Sequence, residues 1–132
     1  MHTPVPLPGG DLEHAVLAVV YELDRATARE IHERVGEPRG LIYTTTAKVL
    51  DRLHAKGLVK RRKEGQAFVY TADRKREVVE RARIRDLLSR MLKPTPKPAM
   101  AALVDAVESL DPDLVDELAR LVAARRRSRG GS

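Results

Sequence analysis

The hydrophobic period of this chain changes at Gly57, and that change limits the folds open to it more than any other feature. Before Gly57 the apolar residues recur at three- and four-residue spacing, as on one face of a helix. After it, Leu58 to Arg62 and Ala67 to Thr71 are short segments holding Val, Phe and Tyr, with Lys63-Glu64-Gly65-Gln66 between them. A tight turn with a glycine available for positive φ makes this a β-hairpin. Its first arm carries Lys60, Arg61, Arg62 and Lys63 in a row. Three short helices precede it. The first is expected at about residues 11–23, where Leu12, Val16, Val19, Val20 and Leu23 form one apolar stripe. The second is expected at about 28–35, opened by a Thr27/Glu30 capping box and closed by Gly36 and Pro38. The connection from Pro38 to Ile42 has room for a minimal strand. The third helix begins near Tyr43 and runs to Lys56, with Gly57 placed for a left-handed C′ residue. Three short helices followed by a basic hairpin is the order of a winged helix-turn-helix.

The remainder is helical again. Asp73 is placed to cap a long helix reaching about Leu92, with Val78, Ala82, Leu88 and Leu92 on one side. Proline at every second position from Pro94 to Pro98 predicts a stiff, extended hinge over 93–98. Two further helices are expected at about 99–110 and 112–125, with Asp111 as N-cap and Pro112 at N1 between them. Leu103, Val107, Leu110, Leu114, Leu118, Leu121 and Val122 extend the apolar ribbon. These helices are too few to bury that ribbon within one chain. A dimer interface is therefore expected through Val78, Ala82, Leu88, Leu92, Leu103, Val107, Leu110, Leu114, Leu118 and Leu121. The reading is of a mainly α chain with a small β-hairpin. It divides into a disordered lead-in at 1–10, a winged helix-turn-helix DNA-binding domain at 11–72, a helical dimerisation region at 73–125 and a basic tail at 126–132.

Charge narrows the partner. The 132 residues carry a formal net charge of +6, but the segment 39–76 alone carries +8, while 1–38 carries −4 and 99–124 carries −5. A polyanion-binding surface is expected on that one block. Aromatics are only 3% of the chain, too few for a stacking platform on single strands. There is no Cys, and the four His include no close pair, so no metal site is expected. No cofactor is expected either. No nucleophile–base pair and no phosphate-cradling glycine motif is present, so the chain does not read as an enzyme. No apolar run is long enough for a membrane span. The opening MHTPVPLPGG lacks the features of a signal peptide, and a cytoplasmic location is expected.

Sorting the third helix at 100° per residue puts Thr46, Val49, Leu50 and Leu53 on one side and Thr44, Lys48, Asp51 and Ala55 on the other, with Thr45, Ala47 and Arg52 on the flanks. A small, polar and basic outer face suits entry into a major groove. Thr44, Thr45 and Lys48 are the expected base contacts. Arg39, Tyr43, Arg52, Lys60, Arg61, Arg62 and Lys63 are the expected contacts to the DNA backbone. Thr44 is also placed where it could cap the helix. The alternative is a winged-helix RNA-binding or protein-interaction module, for which exposed apolar or acidic residues would be expected on that outer face.

The runs Gly40-Leu41-Ile42-Tyr43-Thr44-Thr45, Val49-Leu50-Asp51-Arg52-Leu53, Lys56-Gly57-Leu58-Val59 and Glu64-Gly65-Gln66-Ala67-Phe68-Val69-Tyr70, with Leu12-Glu13 and Val16-Leu17 before them, resemble the penicillinase-repressor family of winged-helix transcriptional regulators (BlaI/MecI/CopY). The resemblance implies a homodimeric repressor on an inverted-repeat operator in double-stranded DNA, with the C-terminal helices making the contacts between subunits. It also implies a sensor protease as a partner that inactivates the repressor. Three departures stand out. Tyr21 occupies a position usually held by Trp. The cysteine cluster of copper-responsive members has no counterpart. The place matching the Asn-Phe cleavage bond of β-lactam-responsive members lies near Asp105-Ala106, where no Phe stands.

Overall fold

The computed structural model describes residues 5–130. The elements run α1 (Asp11–Leu23), β1 (Arg25–Thr27), α2 (Ala28–Ile31), α3 (Tyr43–Ala55), β2 (Val59–Glu64), β3 (Ala67–Ala72), α4 (Arg76–Leu92), α5 (Pro96–Leu110) and α6 (Pro112–Gly130). The three strands form one antiparallel sheet in the order β1-β3-β2. The chain splits into two compact units, one ending at Arg85 and one starting at Asp86.

In the first unit, α1 packs on α3 and on β3. Its contribution to the core is Val16, Leu17, Val19 and Val20. Leu17 falls outside the expected stripe yet is fully buried, while Leu12 and Leu23 are only partly covered. The reason is that α1 is enclosed on two sides, by a helix and by a sheet, so its apolar face is wider than a single-contact stripe. Ile31 and Val35, Val49, Leu50 and Leu53, Leu58 and Val59, and Tyr70 complete this core, and Val79 of α4 closes it. Val78, an expected interface residue, is exposed beside it. Asp73 does not cap α4, which starts three residues later at Arg76. Its carboxylate instead lies 3.4 Å from Lys60 Nζ.

The second helix is the main departure from expectation. The capping box at Thr27 and Glu30 is present, each side chain meeting the other residue's backbone N–H. The helix does not end at Gly36, however. It widens into a π turn over His32–Gly36, tightens into a 3-10 turn over Glu37–Arg39, and ends at Gly40 with φ 69°. Gly40 is therefore the left-handed terminator, and Pro38 sits in the first turn of the 3-10 segment, where its missing N–H costs nothing. Gly36 is helical and buried for another reason. A Cβ there would lie 2.2 Å from His32 Nδ1 and 2.5 Å from Thr46 Oγ1. The minimal strand expected between Pro38 and Ile42 is absent. The third strand of the sheet is Arg25–Thr27, ahead of the helix, paired with Val69–Thr71.

Four further boundaries move. Residues 5–10 are not a loose lead-in: Val5 packs against the core, and the Gly9 N–H donates to Glu13 Oε1 at 3.0 Å. Residues 1–4 and 131–132 lie outside the described residues. The hairpin turn tightens to Gly65-Gln66, since Glu64 and Ala67 already pair. The expected hinge over 93–98 is helical from Pro96. Pro96 and Pro98 fall in the first turn of α5, where backbone N–H groups have no helical partner, so alternating proline is compatible with a helix start. In the second unit, α5 packs on α6. Asp111 joins them, its Oδ1 accepting from the Asp113 N–H at 3.0 Å as expected of an N-cap. The expected basic tail is helical through Gly130.

Candidate nucleic-acid interface

The surface that combines an exposed helix face with a basic strand is built from α3 and the β2–β3 hairpin. The inner side of α3 is Thr46, Val49, Leu50 and Leu53, all buried. Thr44, Lys48, Asp51, Arg52 and Ala55 are exposed on the outer side, and Thr45 and Ala47 are half-buried on the flanks. The N-cap of α3 is Ile42, in extended conformation and with no side-chain cap. Thr44 therefore lies inside the first turn and does not cap the helix. Tyr43 is partly exposed and meets the His32 ring edge-on at 5.6 Å. The same His32 places Nδ1 2.7 Å from Thr46 Oγ1. With Gly36 pressed against both groups, this contact sets how closely the second helical segment approaches α3.

The pleat of β2 divides the basic run. Arg61 and Lys63 pair with Tyr70 and Phe68, while Lys60 and Arg62 pair with Thr71 and Val69. Successive side chains point to opposite faces, so the run is split two and two. Arg61 and Lys63 share the face of buried Tyr70. Lys60 and Arg62 stand on the outer face with Arg25 of β1 and Glu64, which form a bridge at 2.5 Å. Arg25 and, less closely, Arg62 hold the Glu64 carboxyl below its ordinary pKa. Arg61 is more enclosed than Lys60 or Arg62. Its Nη1 donates to Asp51 Oδ1 at 2.9 Å, and its guanidinium lies 4.8 Å from the centre of the Phe68 ring. Burial pushes the Tyr70 phenol up, against the pull of the Arg61 charge beside it.

A sequence model of the penicillinase repressor family matches residues 9–124. The transcriptional regulator BlaI of Mycobacterium tuberculosis is 32% identical over 122 residues, spanning 92% of this chain and 87% of that protein. The chain belongs to the penicillinase repressor family. The solution structure of the DNA binding domain of the repressor BlaI matches with a TM-score of 0.50 and 25% identity, over 57% of this chain and 90% of that domain. As a member of the penicillinase repressor family, the chain is a DNA-binding transcriptional repressor with a winged-helix fold.

Two more expected contacts of this penicillinase repressor have partners inside the protein. Arg39 Nη1 donates to the Val35 carbonyl at 3.0 Å, closing the helical turn that precedes α3. Arg52 Nε lies 3.3 Å from Glu13 Oε2, and Lys56 Nζ lies 2.7 Å from Glu13 Oε1. Glu13 is buried on α1. Desolvation works to raise its pKa, but the Lys56 hydrogen bond, the Gly9 N–H and Arg52 outweigh it and hold the carboxyl below its ordinary range. Glu13 was not singled out from sequence as a functional residue. An acidic side chain in the first turn of α1, three residues before Val16 on the same side of the helix, was the available signal. Its role is to tie the C-terminal half of α3 to α1, fixing the helix from behind.

The ten expected interface residues are divided between the two units. Val78 and Ala82 belong to the first unit, and Leu88, Leu92 and the six residues from Leu103 to Leu121 belong to the second. Leu110, Leu114, Leu118 and Leu121 are exposed, and Leu103 and Val107 are half-buried. Among the described residues no cluster of three or more His, Cys, Asp or Glu is placed to hold a metal ion, and no helix is long and apolar enough to cross a membrane.

Proposed function

We propose that this chain acts in the cytoplasm as a homodimeric repressor that lays α3 into the major groove of each half of an inverted-repeat operator. The observation that carries the reading is the division of α3 into a buried apolar side and an exposed side bearing Thr44, Lys48 and Arg52, next to a basic hairpin. Thr44, Thr45 and Lys48 read base edges, where hydroxyls, methyls and an ammonium each have partners in the major groove. Tyr43, Arg39 and Arg52 meet the sugar–phosphate backbone around the helix. On the hairpin, Lys63 follows the backbone on the α3 side, and Lys60 and Arg62 on the outer side. The exposed leucines of α6 and the second unit's other apolar residues pair with a second copy.

The test is a pair of binding curves for each variant, on the protected sequence upstream of the chain's own gene and on random duplex. Thr45→Ala is expected to cost about 1–3 kcal/mol on the operator, concentrated at one or two base pairs of each half-site, with little change on random duplex. Lys48→Ala is expected to lose more, and to lose less at high salt. Thr44→Ala is a clean probe, because Thr44 is not a cap and its loss leaves thermal stability unchanged. If all three variants bind both duplexes like the parent, α3 is not the reading helix.

A further inference from the structure

Asp51 is out of place on the proposed DNA-binding surface. It stands on the exposed side of α3, with its side chain 63% exposed, where a carboxylate opposes phosphate. It is also the group to which Arg61 is tied, at 2.9 Å. Three features hold the Arg61 guanidinium: the Asp51 carboxylate, the Phe68 ring 4.8 Å away, and the neighbouring Tyr70 hydroxyl. The result is visible in exposure. The Arg61 side chain is 31% exposed, against 80% for Arg62 and 69% for Lys60. Lys60 and Arg62 also lie close to a carboxylate, Asp73 at 3.4 Å and Glu64 at 3.8 Å, but their side chains stay open to solvent, whereas Arg61 is hydrogen-bonded and enclosed on the hairpin face that looks toward α3.

We propose that Asp51 limits the affinity of this surface, holding Arg61 away from the phosphate backbone and so weakening its binding to any duplex. The inference rests on the reading of α3 and the hairpin as the DNA-binding surface. Sequence-independent affinity grows with each phosphate neutralised, whereas discrimination comes from base edges. Withholding one arginine weakens operator and random duplex by the same step, and an exposed carboxylate adds repulsion wherever α3 is not seated in the groove. The equal step leaves the ratio between operator and random duplex as it is, and only the repulsion outside the groove favours the operator. The same bridge joins α3 to the hairpin, so Asp51 also positions the hairpin relative to the helix.

The experiment measures binding of the full chain to random-sequence duplex by fluorescence anisotropy, across about 0.05–0.2 M salt. Asp51→Asn is expected to steepen the log–log salt slope by about 0.9, so that its affinity relative to the parent gains about threefold between the high- and low-salt ends. Arg61→Ala alone is expected to keep the parent slope, and the double variant to show no steepening. Lys63→Ala serves as reference and is expected to flatten the slope by about 0.9. Asp51→Ser is expected to repeat the Asn result, which separates release of Arg61 from any local effect of one substitution, and melting curves without DNA confirm that each variant is folded. The inference is overturned if Arg61→Ala flattens the slope as Lys63→Ala does, or if neither Asp51 variant steepens it. If Lys63→Ala behaves as expected and the Asp51 variants do not, only the role of Asp51 falls. If the parent binds no duplex, the DNA-binding reading falls, and this inference with it.

Discussion

In the unit ending at Arg85, Val16, Val20, Ile31, Val49, Leu50, Leu53 and Leu58 have no surface left to solvent. In the unit starting at Asp86, α5 and α6 bury no residue at all, and Leu110 is 82% exposed. Apolar residues occur at helical spacing in both units. The difference is the number of elements available to cover them. Three helical segments and a three-stranded sheet enclose a volume, whereas two packed helices cover only the seam between them. An apolar stripe in a sequence therefore marks a surface to be buried, without saying whether the same chain or a second one buries it.

The sharpest way to break this comparison is to make the same truncation in both units. Leu50→Ala is expected to cost about 2–5 kcal/mol in chemical unfolding, independent of protein concentration. Leu118→Ala is expected to leave the first unit's unfolding unchanged and instead weaken self-association by about 1–3 kcal/mol, measured by sedimentation over a dilution series. If Leu118→Ala unfolds the chain at all concentrations alike, the exposed leucines are not an interface and the contrast between the units is lost.

Gly36 tests how tightly the first unit is packed. Gly36→Ala forces a methyl against His32 and Thr46. An overpacked site of this kind costs about 1–3 kcal/mol, and relief requires α3 to move away from the preceding turn. The variant is therefore expected to lose operator affinity along with melting temperature. A variant that melts lower but binds the operator like the parent would show that the position of α3 does not depend on this contact.

The smallest expected effect separates the units by pH. The folded pKa of Glu13 is depressed, so its contribution is present in full above the ordinary value of 4.5 and is lost as pH falls through the folded value. Glu13→Gln is expected to lower stability by about 1 kcal/mol near neutrality. The parent and the variant should then converge in acid. Arg120 likewise holds the Glu117 carboxyl of α6 below its ordinary range, but this pair is fully exposed. Glu117→Gln is expected to leave the acid limb of the unfolding curve where the parent has it. Parallel curves for parent and Glu13→Gln down to low pH would show that the buried carboxylate contributes nothing through its charge.

Much of this was legible from residues alone because the signals are local. Helical periodicity placed α1 and α3. The Thr27/Glu30 box opened α2, Gly57 closed α3, and Asp111-Pro112 separated α5 from α6. The angular sorting of α3 also put Thr46, Val49, Leu50 and Leu53 on the buried side, since it needs only the pitch of a helix. What the residues did not disclose depends on contacts between distant segments. Arg25–Thr27 is a strand only because β3 lies beside it with open backbone groups. Gly36 is not a helix end because His32 and Thr46 hold that turn closed. Arg61 and Lys63 part from Lys60 and Arg62 because a paired strand must pleat. Arg61 looks like a free cation in the chain, and folding gives it a carboxylate, Asp51, from the helix on the other side of Gly57. Sequence thus determined which segments form helices and which side of α3 faces outward. The tertiary structure decided which basic residues keep their charge for a partner, because ion pairs form through space and leave no periodic trace along the chain.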